Sequence, residues 1–400
     1  MLERDARLVV IARGLRTVGY GATSVLLAAM LLEDGCTPAQ VGVLIAVAAG
    51  GSVVASLLMG AFADRWGRRR ALMASAALMA VAGATFAVCE AYPVLLLAAF
   101  VGTVSPSTND NTPFSGVEQA ILAQSTAGEK HTKVFTAYNF AALLSGALGG
   151  LIAAGLGRQG WVSAGDLAFC LYTLLAAGTF AVCWRLSPAA EAQAPAHASG
   201  PPQRLSGRVK WLAGLFAVDA FAGGLAVQTM LAWWLHAQFG ATAAQLGLLF
   251  FGTNMLSALS LLAAPVLAAR RGLLVTMLVP HVISSILLLC LPLAPSLRTA
   301  AGLLLARHAL SKIDVPARQA FVAAIVSPVH RTTAASLTSV ARSVAVCASP
   351  MACAAMLSSP LVAAGAPLVL AGALSVSYDA ALWGLFRTPN PSRVEHAAAG

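Results

Sequence analysis

"GAFADRWGRRRALM", residues 60–73, sets four arginines and one aspartate within the seven residues from Asp64 to Arg70, between two long apolar runs. Only 10% of the 400 residues are charged and 58% are hydrophobic, so this crowding needs a physical reason. Soluble domains carry roughly 25% charged residues. Apolar stretches of about 20 residues, long enough to cross a hydrocarbon core, recur along the whole chain. Lipid cannot hydrogen-bond peptide groups, so such stretches are helical. The quoted segment is then a polar connection turning the chain from one membrane helix into the next.

Twelve such helices are predicted, at 8–32, 39–62, 71–89, 93–124, 133–157, 163–185, 210–235, 242–268, 272–292, 298–326, 332–357 and 361–386. The first run is too long for the core of a signal peptide and is expected to remain as a helix. In the fourth, "SPSTNDNTP" (105–113) favours a break, where Asn109 and Asp110 would touch substrate or cap a half-helix. An even number of passes returns both termini to one face. That face collects most of the arginines and lysines, against Arg158 and Arg298 on the other, which predicts a multi-pass protein of a bacterial inner (cytoplasmic) membrane with both termini cytoplasmic. The net charge of +10 is explained by this bias, so no nucleic-acid partner is expected. The seven cysteines lack metal-ligand spacing and read as packing residues, with no metal site.

The chain divides into an N-terminal six-helix bundle (1–186), a mobile linker rich in Pro, Ala and Ser (187–209), a C-terminal six-helix bundle (210–388) and a tail (389–400). "TPAQVGVL" (37–44) matches "TAAQLGLL" (242–249) at an offset of 205, which also lays "ADRWG" (63–67) over "AARRG" (268–272). At an offset of 200, Glu118-Gln119-Ala120 falls on Arg318-Gln319-Ala320. Two similar halves in parallel orientation suit a transporter, in which one half rocks against the other.

The opening stretch closely resembles the loop motif G-x-x-x-D-R-x-G-R-R of the major facilitator superfamily (MFS), carried here by Gly60, Asp64, Arg65, Gly67, Arg68 and Arg69. With the twelve spans and the paired halves, the resemblance covers nearly the whole chain. It implies two pseudo-symmetric bundles, and a gating loop whose contacts through Asp64, Arg65 and Arg69 stabilise the outward-facing state. Gly60 would permit close helix approach and Gly67 the turn. The second copy has Ala269 where Asp64 stands, so the latch is asymmetric. "SGALGG" (145–150) is faintly similar to the G-P-x-x-G-G motif of proton-coupled antiporters in the superfamily, with Gly146 in place of the proline; helix packing explains such small residues equally.

Ionisable groups at membrane depth are costly and are functional candidates by default. Helix one carries Arg13 and Arg16, helix four Glu118 and Gln119, helix seven Asp219, and helix ten Arg307, Ser311, Asp314 and Arg318 on one face; helix eleven adds Arg342. In members of the resembling family helices one, four, seven and ten line the central cavity. The signs are crossed between halves, so Arg13 or Arg16 is expected to pair with Glu118, and Asp219 or Asp314 with Arg318. Protonation of Glu118 or Asp314 would release an arginine for an anionic group. His281 and Asp379 stand alone in their helices and read as packed polar residues.

These readings describe a proton-coupled secondary transporter for a small organic solute, leaning anionic or zwitterionic, powered by the proton gradient without a cofactor and acting as a monomer. Five acidic groups nearly balance six basic ones at depth, so a multidrug/H+ antiporter stands close behind, although aromatic residues make up only 7% of the chain. A non-transporting sensor on the same scaffold is the alternative from another class. No HExxH, P-loop or GxSxG motif is present, and an enzyme is not expected.

Overall fold

The computed structural model describes residues 4–102, 104–105, 107, 112–124, 131–191, 207–325, 331–357 and 365–386. The first half comprises α1 (Arg4–Glu33), α2 (Pro38–Trp66), α3 (Arg68–Val88), α4 (Tyr92–Val101), α5 (Pro113–Gln124), α6 (His131–Leu156) and α7 (Trp161–Trp184). The second comprises α8 (Gly207–Leu225), α9 (Gln228–Phe239), α10 (Ala243–Arg271), α11 (Leu273–Cys290), α12 (Leu297–His308), α13 (Asp314–Ile325), α14 (Arg331–Leu357) and α15 (Ala366–Phe386). No strand occurs among the described residues. Among the described residues eight helices are each long and apolar enough to cross a membrane, and α8 with α9, bent by 40°, adds a ninth when the pair is counted as one span. The remaining predicted passes correspond to α4 with α5, α12 with α13, and α14.

Three predicted helices are therefore split. The fourth stops at Val101 and resumes at Pro113, around the predicted break; Asn109 and Asp110 lie outside the described residues. The seventh bends after Gly223-Gly224, where a Cβ on Gly224 would run into the Ser349 side chain of α14. Glycine is there for close approach and gives up helix stability for it. The tenth was expected to be continuous and is not. Pro316 has no N–H and its ring would clash with the carbonyl four residues back in an uninterrupted helix, whereas the first turn of α13 accepts it. Arg307 therefore belongs to α12 and Asp314 and Arg318 to α13, so the single face expected for them does not exist. The start predicted for the twelfth helix, at 361, and the tail 389–400 fall outside the described residues.

The internal repeat is structural. Thr37 and Gln40 form a capping box at the start of α2, and Thr242 and Gln245 form the same box at the start of α10. Each of these helices ends at a one-residue turn on a positive-φ glycine, Gly67 (φ 103°) and Gly272 (φ 81°). The quoted motif is thus mostly helical: Asp64, Arg65 and Trp66 close α2, and Arg68 opens α3. Gly60 meets nothing within 4 Å of where a Cβ would stand, so close helix approach is not its role. The linker begins with order, since Ser187 donates to Asp5 and residues Pro188–Ala190 form a short turn.

Two faces of the bundle differ. At the face bearing the 33–38 and 239–243 connections, one apolar core joins the halves, with Leu26 and Met30 of α1, Leu231 and Leu235 of α9, and Leu246 and Phe250 of α10. At the opposite face, where α1 begins and α15 ends, each half keeps its own core: Val9, Leu72 and Ile121 in the first, Phe216, Met277 and Leu382 in the second. Among the described residues the apolar core is continuous between the halves at the far face and divided at the terminal face.

Replacing Gly67 with Ala forces a side chain into a left-handed conformation beside the Glu191 carboxylate, 3.3 Å from the new Cβ. A loss of about 1–2 kcal/mol is expected, read as a lower melting temperature in detergent, while Gly60→Ala should melt as the wild type does.

Candidate functional site

Between the parted halves lies a cavity of about 410 Å3, lined by Ser56 and Gly60 of α2, Ser115 and Gln119 of α5, and Val340 and Ser343 of α14. That volume is in the range of small-molecule sites. Asp64 and Arg68 stand at its rim and pair with each other at 2.8 Å. Arg68 also donates to Gln124 at 2.8 Å, and Arg69 lies over the Trp184 ring. Arg65 is exposed. The loop thus makes its recorded contacts inside the first half, as a terminal face that stands open requires. A residue not singled out from the sequence organises it: Glu191, just beyond α7, accepts hydrogen bonds from the backbone N–H groups of Arg68 (2.6 Å) and Arg69 (3.3 Å), capping the N-terminus of α3 with a carboxylate. Glu191 lies 123 positions from Arg68, so no local spacing announces it.

The buried charges form one cluster in each half. In the first, Arg16 of α1 grips Glu118 of α5 with two parallel bonds of 2.7 and 2.9 Å, and neither side chain is exposed. Tyr138 of α6 donates to the same carboxylate at 2.7 Å. The Phe114 ring, one turn before Glu118, lies 3.8 Å under the guanidinium. Arg16, not Arg13, is therefore the partner of Glu118. Arg13 donates instead to Ser115 at 3.2 Å, packs over the Tyr138 ring, and has no carboxylate partner among the described residues.

In the second half Asp219 of α8 is the hub. One of its oxygens accepts from Arg318 of α13 and from Arg342 of α14, each at 3.0 Å. Asp314, one turn before Arg318, is 3.5 Å from the same guanidinium nitrogen. The other oxygen of Asp219 faces His281 Nε2 of α11 at 3.2 Å, and His281 Nδ1 faces Asp379 of α15 at 2.8 Å. His281 and Asp379 are thus joined to the cluster and are not the isolated packing residues their sequence surroundings suggested. They escaped because each stands alone in an apolar helix; the available signal was only that charge at such depth is rare.

The two clusters are related. Adding 203, 200 and 204 to positions 16, 118 and 138 gives 219, 318 and 342, so Arg16, Glu118 and Tyr138 correspond to Asp219, Arg318 and Arg342. The same triangle is built twice with its polarity reversed. The reversal extends to the ring beneath: Phe216, one turn before Asp219, lies under Arg318. In "SGALGG", side chains at Gly149 and Gly150 would collide with the backbones of α1 and α10, and Gly146 backs directly onto Gly21. These glycines pack helices. Among the described residues no group of three or more metal-ligating side chains could hold an ion.

A helical membrane protein of two pseudo-equivalent halves with a cavity between α2, α5 and α14, and not one lined by the first, seventh and tenth predicted helices, is the class that this fold and site define. The sequence matches the family model of the Major Facilitator Superfamily over residues 9–350, and the chain belongs to that family. It is 25% identical over 390 residues to the uncharacterized membrane protein YJR124C of Saccharomyces cerevisiae, covering 87% of each chain. Its fold is similar to a mutant of the nucleoside transporter NupG (TM-score 0.76, 14% identity, 95% of this chain and 99% of that one). It is also similar to the xylose transporter XylE from E. coli in a partially occluded inward-open conformation (0.71, 11%, 98% and 99%). The human organic anion transporter MFSD10 shares the fold at 0.65 and 18% identity, over 95% of this chain and 99% of that one.

Glu118→Gln would leave Arg16 as a sealed charge without its counter-ion, at a cost of about 3–5 kcal/mol. The expected result is a large fall in melting temperature, partly recovered when Arg16→Gln is added, since the pair then leaves together.

Proposed function

We propose that this protein is a proton-coupled secondary transporter that moves a small organic solute with an anionic or zwitterionic group by alternating access. The observation that carries this reading is the asymmetry of the two faces: one shared core at the far face, and two separate cores around a cavity at the terminal face. The same two bundles, closing over the terminal face and parting at the far one, would hand the cavity's contents across. The names of the structural neighbours, transporters of nucleosides, xylose and organic anions, support a small polar solute as cargo. The concentration of basic connections on the terminal face supports a cytoplasmic position for it. The protein works as a monomer in this proposal, with the gradient as energy source and no cofactor.

Two guanidinium groups support the anionic lean. Arg13 reaches Ser115 at the cavity wall, and Arg307 at the inner end of α12 has no acidic partner among the described residues. A buried cation without a counter-ion is costly, and a solute carboxylate or phosphate would relieve that cost. No aromatic ring is among the cavity's lining residues, which counts against a site for amphipathic drugs.

A thermal-shift screen of purified protein against anionic, zwitterionic, cationic and neutral solutes tests this reading, because any ligand selective for the folded state raises its stability. Stabilisation by anions or zwitterions is expected, with affinity reduced roughly tenfold or more in Arg13→Gln through loss of a charge-assisted hydrogen bond. Stabilisation confined to lipophilic cations would overturn the solute class. Uptake of the stabilising solute into sealed liposomes then separates a transporter from a sensor, which binds without flux. In that assay Asp64→Asn should slow flux while leaving affinity nearly unchanged.

A further inference from the structure

The second-half cluster contains a proton that its heavy atoms require. A neutral imidazole has one N–H and one lone pair. Both ring nitrogens of His281 nevertheless face carboxylate oxygens, Nε2 towards Asp219 at 3.2 Å and Nδ1 towards Asp379 at 2.8 and 2.9 Å. Were both carboxylates ionised and the ring neutral, one of these contacts would set lone pair against lone pair. One further proton, on the ring or on Asp379, turns both into hydrogen bonds. Charge counting gives the same answer: among the described residues of the cluster Asp219, Asp314 and Asp379 oppose Arg318 and Arg342, so the group reaches neutrality with one added proton.

We infer that His281 and Asp379 together form the proton-binding site of this transporter, carrying one proton in the conformation open at the terminal face. The inference rests on the proton-coupled reading and names the residues that carry it out. Glu118 is the less suitable carrier, because it and Arg16 are fully sealed and already balanced one to one. The side chains of His281 and Arg342 keep 18% and 28% exposure whereas those of Arg16 and Glu118 keep none, so the second cluster is the less sealed of the two. The groups facing His281 are Asp219 from α8, Asp314 and Arg318 from α13, Arg342 from α14, and Asp379 with the edge-on Tyr378 ring from α15. Of the other helices packed against α11, α12 carries Arg298 at its far-face end and Arg307 and His308 at its inner end, and α10 carries Arg270 and Arg271 at its terminal end.

Release of the proton to water leaves a neutral ring and an unbalanced carboxylate, so the cluster then carries one net negative charge at membrane depth. Such a state is unfavourable and is relieved when Asp219 and its two arginines rearrange. Asp219 lies on α8, and past the bend α9 carries Gln228, which donates to Ser24 of α1 at 2.9 Å and meets Asn254 of α10 at 3.4 Å. The helix that senses the proton thus continues into the helix that seals the far face.

The test uses full-length protein in nanodiscs, in a cysteine-free background, with spin labels at Arg70 and Arg271 on the terminal ends of the two halves, and distances measured as a function of pH. In the wild type the distance distribution should shift with pH. In His281→Gln and in the near-isosteric Asp379→Asn that shift should vanish or move its midpoint by at least about one pH unit, a tenfold change in proton affinity. A wild-type shift whose midpoint is unchanged in either variant overturns this site while leaving proton coupling to reside elsewhere. No pH response in the wild type overturns the proton-coupled reading and this inference with it. An independent readout needs no variant that folds poorly: in protein labelled with 15N-histidine, one of the seven histidines should remain doubly protonated or strongly hydrogen-bonded at both nitrogens at about pH 8, where ordinary histidines are neutral. Seven ordinary neutral signals at that pH would overturn it equally.

Discussion

A charge placed within the hydrocarbon thickness is costly until polar groups inside the bundle meet it, and the pairing of the helices reflects this constraint. Arg16 and Glu118 satisfy it with a two-pronged contact and the Tyr138 hydroxyl, tying α1, α5 and α6 together. Asp219, Arg318, Arg342, His281 and Asp379 satisfy it across five helices. Apolar contact alone could not specify these partners, because lipid tails are as apolar as leucine and offer helices no hydrophobic preference for one another. Small residues then let the backbones approach, as at Gly21 against Gly146, and the apolar core of the far face fills the remaining space.

The two halves show what a repeated fold can vary. Capping boxes, one-residue glycine turns and the position of the charged triangle are shared, because they set helix ends and helix spacing. The polarity of the triangle is not shared. An arginine gripping a glutamate and an aspartate gripping two arginines fit the same three helices, since each needs only one carboxylate reaching planar guanidinium donors above a phenylalanine ring. The first arrangement is closed and dry. The second has extra carboxylates, an imidazole and partly exposed side chains, so the same three-helix geometry holds a balanced pair in one half and a larger mixed cluster in the other.

The loop between α2 and α3 links this interior to the face that opens. Asp64 and Arg68 form the rim of the cavity, and Glu191 fastens the start of α3 to the beginning of the inter-half connection. The loop is therefore tied to the start of the inter-half connection through backbone hydrogen bonds as well as through side-chain charge.

Helical class, the division into halves, the family and the crossed signs of the buried charges were all legible in the amino-acid order. Each is read from residue order alone: twenty apolar residues, a positive cluster between them, a repeat at offsets of 200–205. The break around 105–113 was legible too, because proline and asparagine act on their own backbone. The split before Asp314 was available in Pro316 but was masked by the apolar run on either side. Tertiary structure alone decided that Arg16 and not Arg13 holds Glu118, that Glu191 caps α3, and that His281 and Asp379 belong with Asp219. Those partners lie between 62 and 123 positions apart. Ion-pair geometry at 3 Å depends on helix rotation and depth, and these are set by the packing of the whole bundle and not by the spacing of residues along one helix.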